Sequence, residues 1–299
     1  MKICLIDAHN HLARHFHIAA KEYVGDDLSL IAVQRTLESW HKLGELFDET
    51  VVALDIGKSF RHILYPEYKG KRAEKRPELV RAIEHLHHEL ATSRPFKTAT
   101  APGYEADDLI ARMTIQATNG GHEVTIASTD QDLIALLELP GVNLWKDKTL
   151  ISREACANQL GFAPEHIVLF KAMVGDTSDN IPGLRGLGKV KALPVVQKHR
   201  DPQSVMEGWL ELPTAVRSVL TPAGEQQLRF WYHMVSLQAP RAVYRLSAGV
   251  LAEAKSEEHA RAIAAQWTGW KPLAKTAEAQ QETTPEASES AAERAAATI

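Results

Sequence analysis

Cysteine is nearly absent from the chain. Its 299 residues hold two, Cys4 and Cys156, far apart and with no CxxC partner, which excludes a disulfide framework and a zinc ribbon and leaves both as structural thiols. Long apolar runs are missing too. No stretch approaches the roughly 18 residues that a bilayer span needs. The opening MKICLID meets a carboxylate after four apolar residues, too few for the core of a secretory signal, so the expectation is a cytoplasmic protein without a membrane partner. What is present is globular: 44% apolar and 24% charged residues, enough chain for one large domain or two smaller ones at about 150 residues each.

The net charge of −4 conceals an uneven distribution. Residues 273–299 carry five Glu against Lys275 and Arg294 with almost no large apolar side chain, the composition of a disordered acidic tail. Residues 58–76 hold seven basic residues against two Glu, and residues 183–200 hold five basic residues and no acid. Two positive stretches therefore lie in an otherwise acidic chain.

Three short runs, Ile3 to Ile6, Val51 to Leu54 and Val124 to Ala127, have the length and β-branched content of buried strands. Helical spacing separates them, clearest at Leu30, Val33, Leu37, Trp40, Leu43 and Phe47. Pro77 marks another helix start, and Ser152 and Gly161 bracket REACANQL. Strand and helix in alternation predict an α/β fold with a mostly parallel sheet. Each strand leads into acid: Asp7, Asp55, and Asp130 with Asp132. Ligands bind such sheets beyond the carboxyl ends of the strands, so these acids face one crevice. A single aspartate could merely stop a strand; three in register imply more. After residue 160 strand signals vanish, and a helical layer packed on the sheet is expected.

The segment PGYEADDLIAR opens a helix with Glu105, Asp107 and Asp108. Acids complement a helix N-terminus, but capping does not need three. Glu105 and Asp108 share a face, with Asp107 about 100° away. Asp176 and Asp179 in VGDTSDN extend the theme. Grouped carboxylates repel unless protonated or bound to cations. Without His or Cys beside them they suit Mg²⁺ or Mn²⁺ rather than zinc, and two such ions would clamp a phosphodiester. Setting aside the tail and these nine carboxylates leaves +8 on the remaining chain. An acidic pocket in a basic surround fits a nuclease.

Two rival readings are weaker. In GLRGLGKV, Gly183, Gly188 and Lys189 approximate a P-loop, but Val190 stands where Ser or Thr would bind magnesium and no strand precedes it. The segment reads better as a glycine-rich turn between helices, with Arg185, Gly186, Gly188, Lys189 and Lys191 gripping a duplex backbone; a plain helix–loop–helix is the simpler alternative. His9, His11, His15 and His17 suggest zinc, yet further ligands are lacking.

At these residues the chain resembles the flap endonuclease and 5′-3′ exonuclease family, and within it the 5′ nuclease domain of bacterial DNA polymerase I. The likeness runs over about residues 2–240 through LIDAHNHLARHFH, SFRHILYPEYKGKR, PGYEADDLIA, VTIASTDQDLIALL and VGDTSDNIPGLRGLG, in family order. The resemblance implies a PIN-like α/β core over residues 1–160, with a helical arch at about 66–100 that admits a 5′ single strand. It further implies a DNA-binding helical layer over 161–270, whose helix–three-turn–helix at about 176–200 holds K⁺ and downstream duplex. Asp7, Asp55, Glu105, Asp107, Asp108, Asp130, Asp132, Asp176 and Asp179 match the family's acids for two or three Mg²⁺ ions, with Asp7, Asp107 and Asp130 catalytic. Lys69 and Arg72 match the basic pair at the arch foot, and Arg14 the basic residue of the opening motif. The family's usual GIGxKTA is altered, with Val190 between two lysines and Pro194 where a helix should continue. The resemblance thus implies a monomeric nuclease that acts on flap, nicked or gapped DNA and leaves 5′-phosphates. A branched-DNA binder that does not cut, and a nuclease directed at RNA or RNA–DNA hybrids, remain open at this point.

Overall fold

A computed structural model describes residues 1–93, 96–146, 148–238, 240 and 249–266. The three apolar runs form the middle of its sheet as β1 (Lys2–Asp7), β2 (Glu49–Ala53) and β4 (Glu123–Ala127). They are joined by β3 (Lys97–Ala99), β5 (Val142–Lys146) and β6 (Thr149–Ile151), in the order β3-β2-β1-β4-β5-β6. All pairs are parallel except β5 with β6. The register sets Ile6 beside Val52 on one side and Ala127 on the other. Because the chain leaves β1 for β2 on one side and returns to β4 on the other, the strand order reverses at β1, and the crevice of such a sheet opens there.

Helices cover both faces. On one lie α1 (Ala8–Ala19), α2 (Gly25–Gly44) and, after the short α3 (Phe60–Leu64), α4 (Pro77–Thr92); Leu12, Phe16, Trp40 and Leu86 pack there on Cys4, Ile6, Val52 and Ala127. The periodicity of α2 holds to Leu43, but the helix ends at Gly44, and Phe47 joins the same core from beyond it. On the other face α5 (Ala106–Asn119) sets Leu109 and Ile110 against Leu5, Val124 and Ile126. Asp7 caps α1 by accepting from the Asn10 amide, and Pro77 begins α4. Ser152 and a left-handed Gly161 bound α6 (Arg153–Leu160) as their spacing predicts.

Every described element beyond residue 160 is helical: α7 (Ile167–Val174), α8 (Lys189–Val196), α9 (Pro202–Glu207), α10 (Thr214–Arg217), α11 (Pro222–Val235) and α12 (Gly249–Ala265), with short 3₁₀ turns between. Leu169, Met173, Leu187, Leu228 and Trp231 give this layer its own core. The loop from α7 to α8 turns on two glycines. Gly183 has φ +66°, and a Cβ there would lie 2.4 Å from the Gly175 nitrogen. Helix α7 and this turn precede GLGK, so the strand a P-loop requires is absent among the described residues. Pro194 sits inside α8, where the helix continues past it, and removes one helical hydrogen bond; the helix ends two residues later. The acidic stretch 273–299 lies outside the described residues.

Replacing Gly183 by alanine combines left-handed backbone with a backbone clash. The expected result is a loss of more than about 1 kcal/mol in urea unfolding, with Gly188→Ala, whose Cβ would meet nothing within 4 Å, far milder.

Candidate metal centre

The sheet delivers its acids to one place. Asp7 ends β1, Asp55 follows β2, Asp130 follows β4, Asp132 begins the next 3₁₀ turn, and Asp107 lies in the first turn of α5. One carboxylate oxygen from each of Asp107, Asp130 and Asp132 lies within 4.8 Å of the others. Ser128 ties Asp7 to this group: its hydroxyl donates to Asp7 Oδ2 (2.9 Å) and accepts from the Asp130 amide (3.0 Å). The Asp132 amide donates to Asp130 Oδ1 at 2.9 Å.

Such crowding costs the ionised forms. Burial, then the charges of Asp55 and Asp130, push the Asp7 carboxyl up to about 7. Burial and then Asp130, Asp7 and Asp132 hold Asp107 well above the usual carboxylate range. Asp132 rises to about 6 through burial, although Lys171 works against the rise. An all-oxygen set that resists ionisation without a counter-charge fits hard divalent cations. Asp107, Asp130 and Asp132 would hold one ion, with Asp7 at its side.

The remaining acids are already matched by cations. Lys69 Nζ donates to Glu105 Oε1 at 2.6 Å, Arg72 Nη2 to Asp179 Oδ1 at 2.7 Å, and Lys171 Nζ to Asp176 Oδ2 at 2.8 Å as well as to Asp132. Tyr68 Oη lies 2.9 Å from both Glu105 and Asp179. Glu105 is held below its ordinary value because Lys69 and Arg61 outweigh burial. Asp55 is held well below too: burial opposes its charge, but His9, Lys69 and the Ala106 amide prevail. His9 Nδ1 is 3.1 Å from Asp55 Oδ2 and its Nε2 is 2.9 Å from His87 Nε2. If a neutral His9 donates to the aspartate, His87 donates to His9.

Asp108, expected as a metal ligand, requires correction. It is fully buried, and its two oxygens accept from Arg61 Nη1 (2.7 Å), Arg61 Nη2 (2.8 Å), the Glu105 amide (3.1 Å) and the Gln238 amide (2.7 Å). Four donors leave no open side for an ion. The shared face of Glu105 and Asp108 meets Arg61, while Asp107, about 100° round the helix, reaches the cluster. Arg61 also donates to the carbonyls of Met234 and Ser236, fastening the end of α11 to the start of α5.

The expected DNA contacts are spread over three segments. Residues 66–76 are turns and coil, and α4 is the one described helix between 66 and 100; its Leu79 and Leu86 pack into the core over the sheet, and its His87 meets His9 beside Asp55. Lys69, in left-handed backbone with φ 56°, donates its amide to Asp179 O at 3.0 Å. Arg14 lies exposed on α1. Arg185, Gly186, Gly188, Lys189 and Lys191 are all exposed around the start of α8, with Gly188 its N-cap and Lys191 Nζ on the Gly186 carbonyl at 2.9 Å. The histidines of α1 do not form a zinc site: His11 accepts from Trp40 Nε1, His15 meets Thr36, and Asp107, Asp130 and Asp132 form the one potential metal group of three or more among the described residues.

Sequence reasoning missed Arg61 and Lys171. Lys171 had a signal, as the one charge in the apolar run IVLFKAMV ahead of Asp176. Arg61 in FRHIL offered a weaker one.

Residues 2–161, more than half of the chain, match the 5′-3′ exonuclease N-terminal resolvase-like domain, and the chain belongs to that family. Among curated relatives, DNA polymerase I of Chloroflexus aurantiacus is 31% identical over 186 residues, covering 60% of this chain and 20% of the polymerase. The thermostable DNA polymerase I of Thermus thermophilus is 38% identical over 140 residues, 47% of this chain and 17% of its own length. A 5′-3′ exonuclease of Buchnera aphidicola is 33% identical over 150 residues, 50% of this chain and 52% of that protein. The chain thus spans a fifth or less of these two polymerases and about half of the exonuclease. By fold it is similar to the T5 5′-exonuclease with divalent zinc ions bound (TM-score 0.63, 24% identity, 88% of this chain and 100% of that one). It is also similar to the bacteriophage T5 flap endonuclease complexed with DNA and metal ions (TM-score 0.60, 22% identity, 90% and 95%).

Arg61→Ala strands Asp108 without a counter-ion and should cost about 3–5 kcal/mol in denaturant unfolding. A second expectation concerns pH. Carboxyls raised in the folded state retain protons that the unfolded chain has lost, so in EDTA the unfolding free energy should fall as pH climbs above about 7, where Asp7 and Asp107 are still raised. The depressed acids Asp55, Glu105 and Asp176 act in the opposite sense below about pH 4, and the histidines His11, His87 and His233, lowered by burial, do so up to about pH 6.5. Thermal melts above about pH 7, with and without Mg²⁺, check the sign; stability that rises with pH there in EDTA would contradict the assignment.

Proposed function

We propose that the chain is a divalent-metal-dependent 5′ nuclease, a 5′→3′ exonuclease and flap endonuclease that hydrolyses DNA phosphodiesters to 5′-phosphate products. The observation that carries this reading is the cluster of Asp107, Asp130 and Asp132 at the strand-order reversal, with Asp7 beside it and Lys69 at its rim. Family membership, the exonuclease name of the Buchnera relative and the DNA-and-metal complex of the T5 flap endonuclease support it. Mg²⁺, with Mn²⁺ as substitute, suits the donor set, and K⁺ at the turn before α8 belongs to the same reading, as do a cytoplasmic, nucleoid-associated location and a monomeric state. When bound, the divalent ions supply Lewis-acid stabilisation of charge on the scissile phosphate.

The protein's own groups do the rest. Lys69 and Arg72 are held in place by Glu105 and Asp179 and swing onto a phosphate whose charge competes for them, stabilising negative charge as it grows. His9, backed by His87, fixes the orientation of Asp55. Arg185, Lys189 and Lys191 on an exposed helix start grip duplex backbone without reading bases. Recognition is therefore by shape and charge, and affinity falls steeply with salt.

Single-turnover cleavage of a 5′-labelled DNA flap tests the proposal directly. Mg²⁺-dependent release of the intact flap strand or of mononucleotides supports it; tight binding without cleavage points to a non-catalytic branched-DNA binder, and preference for an RNA flap of equal geometry redirects the substrate. Asp107→Asn should lower the rate at least 100-fold, and Lys69→Ala about 10²–10³-fold, with flap affinity changed much less in each.

A further inference from the structure

The three-helix layer is narrower than the sheet it covers. Helices α1, α2 and α4 pack over β1, β2 and β4, and Trp145 on β5, paired in register with Ala127, reaches only the margin of their core. A cleft of about 410 Å³ remains between α1, α2 and the β5–β6 hairpin, a size typical of small-ligand sites. It lies beyond the carboxyl end of β5, one turn of α1 away from Asp7, and shares no residue with the acid cluster.

Its lining combines two chemistries. Arg35, Lys42 and Lys148 bring three positive charges against the single acid Glu38 among the described residues. Lys42 and Lys148 are exposed and have no ion-pair partner among the described residues. Arg35 is held by the exposed Glu22 at 3.1 Å, a surface pair worth at most about 1 kcal/mol and easily exchanged for a phosphate. Beside the cations, the indole of Trp145 and the side chains of Leu43 and Leu46 give the cleft apolar lining. Two histidines add defined polarity. Thr36 Oγ1 donates to the Ala32 carbonyl at 2.7 Å, so its contact with His15 Nδ1 at 3.0 Å must be accepted from the ring. His15 is thereby fixed with Nδ1 protonated and Nε2 an acceptor.

We propose that this cleft binds a nucleoside 5′-monophosphate, with the phosphate on Lys42, Lys148 and Arg35, the base against Trp145, and a base N–H donated to His15 Nε2. A simple anion would leave the apolar lining unused, and an apolar ligand would leave Lys42 and Lys148 unmatched. Every nucleobase carries an amino or imino N–H, an aromatic face and, in the nucleotide, a dianion, which is the combination the lining presents. The inference does not depend on the nuclease reading, because the acid cluster takes no part in it.

Calorimetric titration of the whole chain with dAMP and with dTMP, in EDTA so that no metal recruits phosphate to the acids, tests it. Saturable binding of both nucleotides is expected, weakened at least tenfold by Lys42→Glu and by Lys148→Glu, two exposed positions whose change leaves the fold intact. Deoxyadenosine and inorganic phosphate, titrated separately, should each bind at least tenfold more weakly than dAMP. No saturable binding of either nucleotide, binding unaltered in both variants, or phosphate bound as tightly as dAMP would overturn the proposal. Flap cleavage measured on the same preparations reports separately on the nuclease reading.

Discussion

Mutual repulsion among carboxylates at the carboxyl ends of β1, β2 and β4 is the constraint that organises this molecule. The sheet brings Asp7, Asp55 and Asp130 together, α5 adds Glu105, Asp107 and Asp108, and the loop after α7 adds Asp176 and Asp179. Placing so many acids in one crevice is unfavourable unless cations or protons meet them. The structure uses both. Arg61, Lys69, Arg72 and Lys171 neutralise the outer acids, while the inner group of Asp7, Asp107 and Asp132 stays above the ordinary carboxylate range.

The compensating cations also hold the layers together. Lys171 reaches from α7 to Asp132 on the sheet side, and Arg61 binds α5 to the end of α11. The turn segment 66–76 is pinned to the loop before α8 by Lys69 N to Asp179 O, Arg72 Nε to Ser178 O at 2.9 Å, and Asn180 Nδ2 to Glu67 O at 2.8 Å. Lys69 and Asn180 both take left-handed backbone at this seam, a conformation with a cost that such contacts must maintain. Charge balance at the site and cohesion between the two layers are thus one set of interactions. A substrate phosphate that draws Lys69 or Arg72 away alters both.

Much of this is legible in the sequence, and the failures have physical reasons. The central strands are visible because strands buried on both faces read as continuous apolar runs. β3 and β6 have three residues each, too few to show a period, and β5 carries a mixed pattern at the margin of the helical layer. The acids stand out by density, yet density alone does not separate Asp107 from Asp108. That distinction depends on where Arg61 arrives from a segment 44 residues earlier than Glu105, which is tertiary information. Lys171 is marked by its apolar surroundings, but its two partners, in different segments, are not. Pro194 reads as falling where a helix continues, and Gly188, which caps α8 five residues before Leu193, leaves it inside.

The central claim is that the inner carboxylates keep protons until divalent cations displace them. Calorimetric titration with Mn²⁺ at pH 6.5, repeated in buffers of different ionisation enthalpy, measures that displacement directly, because protons released on binding are taken up by the buffer. Asp7 at about 7 and Asp107 well above its ordinary range predict net proton release that diminishes in Asp107→Asn. Heats independent of the buffer would show that the acids are ionised before metal arrives, and would contradict the account.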